Sequence, residues 1–184
     1  MEINNYVLVI RSLYDRILSI LFLSKVFNNV DKVLKMFIKQ RRFTPEFINN
    51  VDREDIFVFG SNAAGNHYGG AARTAFMEFG ARWGQGEGLA GNSYALPTLD
   101  ENLKPLSLDR IAEAFVKLFK TALLNSEFTF YLTKVGIGIA GFKVEEICYS
   151  IKLALQKLNI FIPTNIIIPR EFYDCLTNVY KIKF

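Results

Sequence analysis

Residues 56–72 read IFVFGSNAAGNHYGGAA, and residues 128–142 read FTFYLTKVGIGIAGF. Each stretch opens on an apolar run rich in Phe, Ile, Val and Tyr and closes on glycines. Aromatic and β-branched residues favour strands, and an uninterrupted apolar run marks a strand covered on both faces. Gly60-Ser61-Asn62 ends the first run and Gly136 ends the second, both with turn chemistry. The first loop leads into a helix predicted over Gly70 to Phe79. The second leads into one whose apolar positions Ile147, Ile151, Ala154, Leu155 and Leu158 keep a helical spacing. Strand, glycine loop and helix, twice over, predict an α/β domain with a mostly parallel sheet. Ligands of such sheets sit beyond the carboxyl ends of the strands.

Working outward, a strand is predicted near Ser93 to Leu96, ended by Pro97, and another at Ile166 to Ile168, closed by Pro169. Between them Ile111, Phe115, Leu118, Phe119 and Ala122 form the core face of a helix. Residues 41–184 are thus the α/β domain. Residues 1–40 read differently: Ile10, Leu13, Tyr14, Ile17, Leu18 and Leu21 recur helically, as do Val30, Val33, Leu34 and Phe37 after the Asn28, Asn29 break. A helical hairpin follows. The hairpin suits packing on the domain or on a second copy. An amphipathic basic surface on anionic lipid is the alternative, disfavoured by Ile20 and Leu23, which widen the apolar arc.

Composition narrows the function classes. Apolar residues make up 51% of the 184, with 17 Phe, enough to fill a core without staples. The 22 basic and 18 acidic residues leave only a modest excess, and no Lys/Arg run accompanies it, which disfavours nucleic acid as the primary partner. Cys148 and Cys175 are far apart, each without a neighbouring metal ligand, and His67 is the only histidine, so neither a metal site nor a disulfide framework is expected. The apolar stretch Ile17 to Ser24 falls short of a membrane span and lacks the flanks of a signal peptide, so a cytoplasmic location is expected. Nothing in the sequence sets an oligomeric state.

The glycine loops are the candidate site. Without Cβ the backbone adopts positive φ and approaches an anion closely, so that successive amides form a nest for phosphate oxygens. The first loop offers Gly60, Ser61, Asn62, Gly69, Gly70 and Ala71; the second offers Gly136, Ile137, Gly138, Ile139, Ala140, Gly141 and Phe142. A third glycine-dense segment, GARWGQGEGLAGNSYALPT at residues 80–98, is expected to be a compact functional loop. Its Glu87 could orient a water or a ribose hydroxyl, against the bland reading of a solvated charge. Trp83 could stack on a base or sit in the core. His67 is either a base or ribose contact or a surface residue, and Asn62 either a ligand contact or a turn cap. Asn62, His67 and Glu87 are therefore the candidate catalytic residues.

FTPEFI at residues 43–48, IFVFGSN at 56–62, AGNHYGGAA at 64–72, GQGEGL at 84–89, NSYALPT at 92–98 and GIGIAGF at 136–142 together resemble a group of small bacterial and phage proteins. That group is in turn similar to macro domains, the ADP-ribose-binding modules. The resemblance implies a three-layer α/β/α domain binding ADP-ribose or a related NAD-derived nucleotide metabolite, with no resident cofactor. It places Asn62 and Phe142 at the distal ribose, Gly69, Gly70 and Ala71 in the first phosphate loop, and Gly136 through Gly141 in the second. Hydrolysis of an ADP-ribosyl bond is an added activity it allows. The alternative is a metabolite sensor or interaction protein, phage or defence related, whose N-terminal helices are the output element.

Overall fold

The computed structural model describes residues 43–45, 48 and 55–183. The hairpin expected over residues 1–40 lies outside them. The described residues belong to one unit, Arg42–Phe184.

The strand at Ile56 to Phe59 runs longer than its apolar core, as β1 (Asp55–Asn62). Its side chains alternate between two apolar clusters. Ile56 and Val58 join one; Phe57 and Phe59 join the other. β1 is buried on both faces because it is the central strand of a five-stranded sheet. The remaining strands are β2 (Gly88–Ala90), β3 (Ser93–Leu99), β4 (Thr129–Leu132) and β5 (Ile166–Ile167), and the order is β2-β3-β1-β4-β5. β1 is parallel to β3 and to β4, and β4 is parallel to β5; β2 alone runs antiparallel, against β3. The sheet is mostly parallel, as the alternation of strands and helices predicts.

Two strand boundaries differ from expectation. β3 continues through Pro97 to Leu99, because β2 pairs only with Ser93 to Ala95 and the proline, whose missing donor faces that side, lies beyond its end. β2 forms inside the glycine-dense segment. Gly91, at φ 55°, turns the chain so that Leu89 pairs with Tyr94.

Four helices cover this sheet among the described residues: α1 (Gly70–Glu78), α2 (Leu108–Leu124), α3 (Val144–Leu158) and α4 (Arg170–Asn178). α1 buries only Ala72 and Ala75, whose small side chains let it lie close against Phe57, Phe59 and Ala95. The larger cluster gathers Ile111, Phe115 and Leu118 of α2, Ile147 and Ile151 of α3, and Phe172 and Leu176 of α4 under the opposite face. Each such side chain contributes about 1.5–3 kcal/mol by leaving water. Ser107 caps α2, its hydroxyl accepting from the Arg110 amide at 3.4 Å, and Glu146 returns to the Lys143 amide at 2.8 Å to cap α3. α4 was not expected. Pro169 both closes β5 and opens this helix, since its fixed φ and missing N–H suit a helix start.

The FTP segment closes the far edge. The Thr44 amide donates to the Ile168 carbonyl at 2.8 Å and its hydroxyl to the Ile167 carbonyl at 2.9 Å, while Phe43 packs edge-on against Tyr173. No described helix is long and apolar enough to cross a membrane.

Candidate functional site

β1 and β4 are parallel neighbours whose chains leave the sheet in opposite directions. β1 feeds α1, on the Phe57/Phe59 face, and β4 feeds α3, on the Val58 face. This reversal is a switch point beyond their carboxyl ends, the usual place for a ligand in an open parallel sheet. Both glycine loops border it. A β-carbon on Gly60 would lie 3.5 Å from the Gly136 nitrogen, and one on Gly69 would lie 4.0 Å from Ile139 Cδ1. The structure therefore brings the two loops together.

The glycines of these loops divide by what surrounds them. Gly136 has φ 78°, and a β-carbon there would stand 2.6 Å from Ile147 Cδ1, so this residue lets the loop sit down on α3. Gly138, Gly141 and Gly70 meet no described atom within 4 Å at the same position. Their backbone faces open space.

Hydrogen bonds shape the second loop into a tight turn. The Gly141 amide donates to the Gly138 carbonyl at 3.0 Å and the Phe142 amide to the Gly136 carbonyl at 3.0 Å. Among the described residues no backbone acceptor engages the amides of Gly138, Ile139 or Ala140. Beside this loop α1 begins at Gly70 with Gly69 as its cap, and no side chain caps it. The amides of its first turn have no partner within the helix. Ile139 projects from the loop, 80% exposed; Ile137 and Phe142 lean on the core of the α3 face, and Ala140 is buried. Lys134, just before the second loop, reaches Glu171 of α4 at 2.6 Å and holds that carboxyl below its ordinary range.

The first loop is held from inside. Asn62 Nδ2 donates to the Asn66 carbonyl at 2.7 Å, and the Asn66 amide donates to Asn62 Oδ1 at 3.1 Å. The Ser61 hydroxyl donates to the Gly86 carbonyl, and Gly65 and Gly86 lie where any β-carbon would strike backbone, at 2.3 Å in each case. Residues 60–66 and 84–86 are thus packed backbone against backbone.

Each of the candidate catalytic side chains has a partner of its own, Asn66 for Asn62, Arg82 for His67 and Lys117 for Glu87. Glu87 is bound by Lys117 of α2 and precedes β2, the strand at the opposite side of β1 from β4. The residue before Glu87, Gly86, lies against the backbone of Asn62 and Ala63, but the Glu87 carboxylate itself is engaged by the lysine. His67 is buried at 2% exposure, not on the surface. Its Nε2 lies 3.0 Å from the Arg82 carbonyl and so donates to it, while Nδ1 is buried without a partner among the described residues. Among the described residues no group of three or more His, Cys, Asp or Glu could hold a metal ion.

One surface had no signal in the spacing of its residues. His67 packs edge-on against Phe59 and Trp83, and Trp83 packs edge-on against both Tyr68 and Phe76. Trp83 is half exposed and Tyr68 mostly so; the indole is neither core nor isolated. These rings come from a loop, from α1 and from the turn after it. No period of a single element relates positions 67, 68, 76 and 83. No protein-family model, curated protein or solved structure matches the chain.

Proposed function

We propose that the crevice between the two glycine loops binds the diphosphate of ADP-ribose or a related NAD-derived nucleotide metabolite, within a macro-like three-layer domain. The observation that carries this reading is the turn at Gly138 to Gly141, whose consecutive unengaged amides stand beside the uncapped N-terminus of α1. Amides arranged in this way, reinforced by a helix dipole, attract a pair of phosphate groups without a bound metal. Binding needs only these groups and a rigid frame, which the Asn62–Asn66 pair and the Gly65 and Gly86 contacts supply.

Binding alone is the proposed activity. Hydrolysis of an ADP-ribosyl bond would need a group within reach of an attacking water. Glu87 is paired with Lys117 of α2, and His67 is buried against Trp83.

A thermal-shift experiment with ADP-ribose tests the reading. At a hundred times its dissociation constant a ligand stabilises the native state by about 2.7 kcal/mol, a rise in midpoint of about 5 to 10 °C here. Gly138→Val places a branched side chain in the open space before the amides. It is expected to abolish the shift with its own unliganded melting curve unchanged. Adenosine, lacking phosphate, is expected to give little shift. An ADP-ribose shift that survives Gly138→Val would make the second loop a structural turn.

A further inference from the structure

The surface of α1 that faces away from the sheet carries exposed rings and cations together. Tyr68 is 74% exposed, Met77 67%, Trp83 47% and Phe76 41%. Arg73, Phe76 and Met77 lie three and four residues apart and so share one face of α1. Helical geometry turns Glu78, the acidic residue of this helix, about 140° away from Arg73. Arg82 adjoins Trp83, and both Arg73 and Arg82 are exposed. Among the described residues no carboxylate pairs with either arginine.

We infer that this face is a docking surface for single-stranded nucleic acid, with bases stacking on Tyr68 and Trp83 and backbone phosphates on Arg73 and Arg82. Charge complementarity selects the partner: two exposed guanidinium groups that pair with no carboxylate among the described residues, on the same segment as exposed rings, suit a chain that alternates anions with planar faces. The Tyr68 and Trp83 rings meet at 79° with centroids 4.7 Å apart, so they form an angled platform. An apolar protein partner would leave both arginines desolvated opposite no acid. The modest net charge of the whole chain does not bear on this, because Arg73 and Arg82 outnumber Glu78 on this exposed segment. The inference is independent of the crevice: it uses neither glycine loop.

Trp83 is the only tryptophan, so its emission reports stacking directly. Adding unlabelled oligothymidylate to the full chain at about 50 mM salt is expected to quench that emission. Anisotropy of a fluorescein-labelled oligothymidylate is expected to rise with the same midpoint, and to weaken at about 200 mM salt. Tyr68→Ala, at an exposed position, is expected to weaken binding roughly five- to hundredfold, the range for losing one stacked base. Arg73→Glu is expected to weaken it and to flatten the salt dependence with all rings intact. Gly138→Val should leave oligothymidylate binding unchanged, which separates this surface from the nucleotide site. Unquenched Trp83, or binding indifferent to both Tyr68→Ala and Arg73→Glu, overturns the inference. So does equal affinity for duplex DNA, whose bases cannot stack on the platform. Self-association lost in Tyr68→Ala, with no oligothymidylate binding, would assign the face to a second copy of the chain.

Discussion

Asn62 and Asn66 are joined twice, side-chain amide to backbone carbonyl and backbone amide to side-chain oxygen, so that one buried asparagine closes the whole first loop. Asn62→Ala removes both bonds and leaves the Asn66 carbonyl and amide unsatisfied beside a buried position. A loss of about 1–3 kcal/mol in denaturant stability is expected. Asn62→Asp should destabilise comparably at neutral pH, because a carboxylate cannot donate to the Asn66 carbonyl. If Asn62 served the ligand and not the loop, either variant would weaken binding while its urea midpoint stayed that of the parent.

The helix and strand pattern of this domain was legible because its buried faces are written in period. β1 and β4 are unbroken apolar runs, and α2 and α3 repeat every three to four residues, so each declares its burial locally. β2 was not legible. Gly88-Leu89-Ala90 has too few side chains to show a period, and it exists only because Gly91 folds it onto β3. α4 carried a readable signal in Phe172, Cys175 and Leu176, at helical spacing, but Pro169 was read only as a stop. The glycine loops were found from composition, whereas their different duties were not. Gly136, Gly138 and Gly65 look alike in sequence, and only their neighbours separate a contact with Ile147 from open space or from the backbone of Gln85. The partners of Glu87 and His67 were illegible for the same reason, since a side chain's partner 30 or 15 residues away leaves no trace in spacing.

Tyr94 sets an alkaline limit on stability. It is buried on β3, and desolvation pushes its phenol up to about 12, helped by Glu87 and opposed by a hydrogen bond with Thr121. In the unfolded chain a tyrosine ionises near 10. The stabilisation is therefore whole below pH 10 and is lost as pH rises from about 10 to about 12, amounting to about 3 kcal/mol at most. Tyr94→Phe should flatten this part of the stability-versus-pH curve. Equal slopes for parent and variant in urea titrations at pH 9.5 to 11.5 (roughly spanning the transition) would show that another group sets the limit.

The Glu87–Lys117 pair should matter little. Both side chains are partly exposed, at 32% and 60%, so water screens their attraction. Glu87→Gln and Lys117→Met are each expected to shift stability by less than about 1 kcal/mol, and the double variant to show a coupling within that range. Glu87→Gln is also expected to leave ADP-ribose affinity as in the parent. A tenfold loss of affinity without a change in melting would return Glu87 to the site.

Gly136 and Gly138 stand two residues apart in one loop, yet substitution should separate them cleanly. At Gly136 the backbone is left-handed, at φ 78°, and an added β-carbon meets Ile147, a fully buried core residue of α3. Gly136→Ala is expected to destabilise by about 1–3 kcal/mol, from the strained φ and the displaced isoleucine together. At Gly138 the φ lies outside the left-handed region and the added carbon meets no described atom. Gly138→Ala should therefore leave unliganded stability within about 0.5 kcal/mol of the parent, or raise it slightly by restricting the unfolded chain. Its effect belongs instead to binding, because the methyl group occupies part of the space in front of the Gly138 to Ala140 amides. The expected outcome is a crossed pattern: Gly136→Ala melts earlier but keeps its ADP-ribose shift, and Gly138→Ala melts like the parent with a smaller shift. Equal destabilisation by the two substitutions would mean that Gly138 is also packed, and that the second loop is a closed turn with no open face for phosphate.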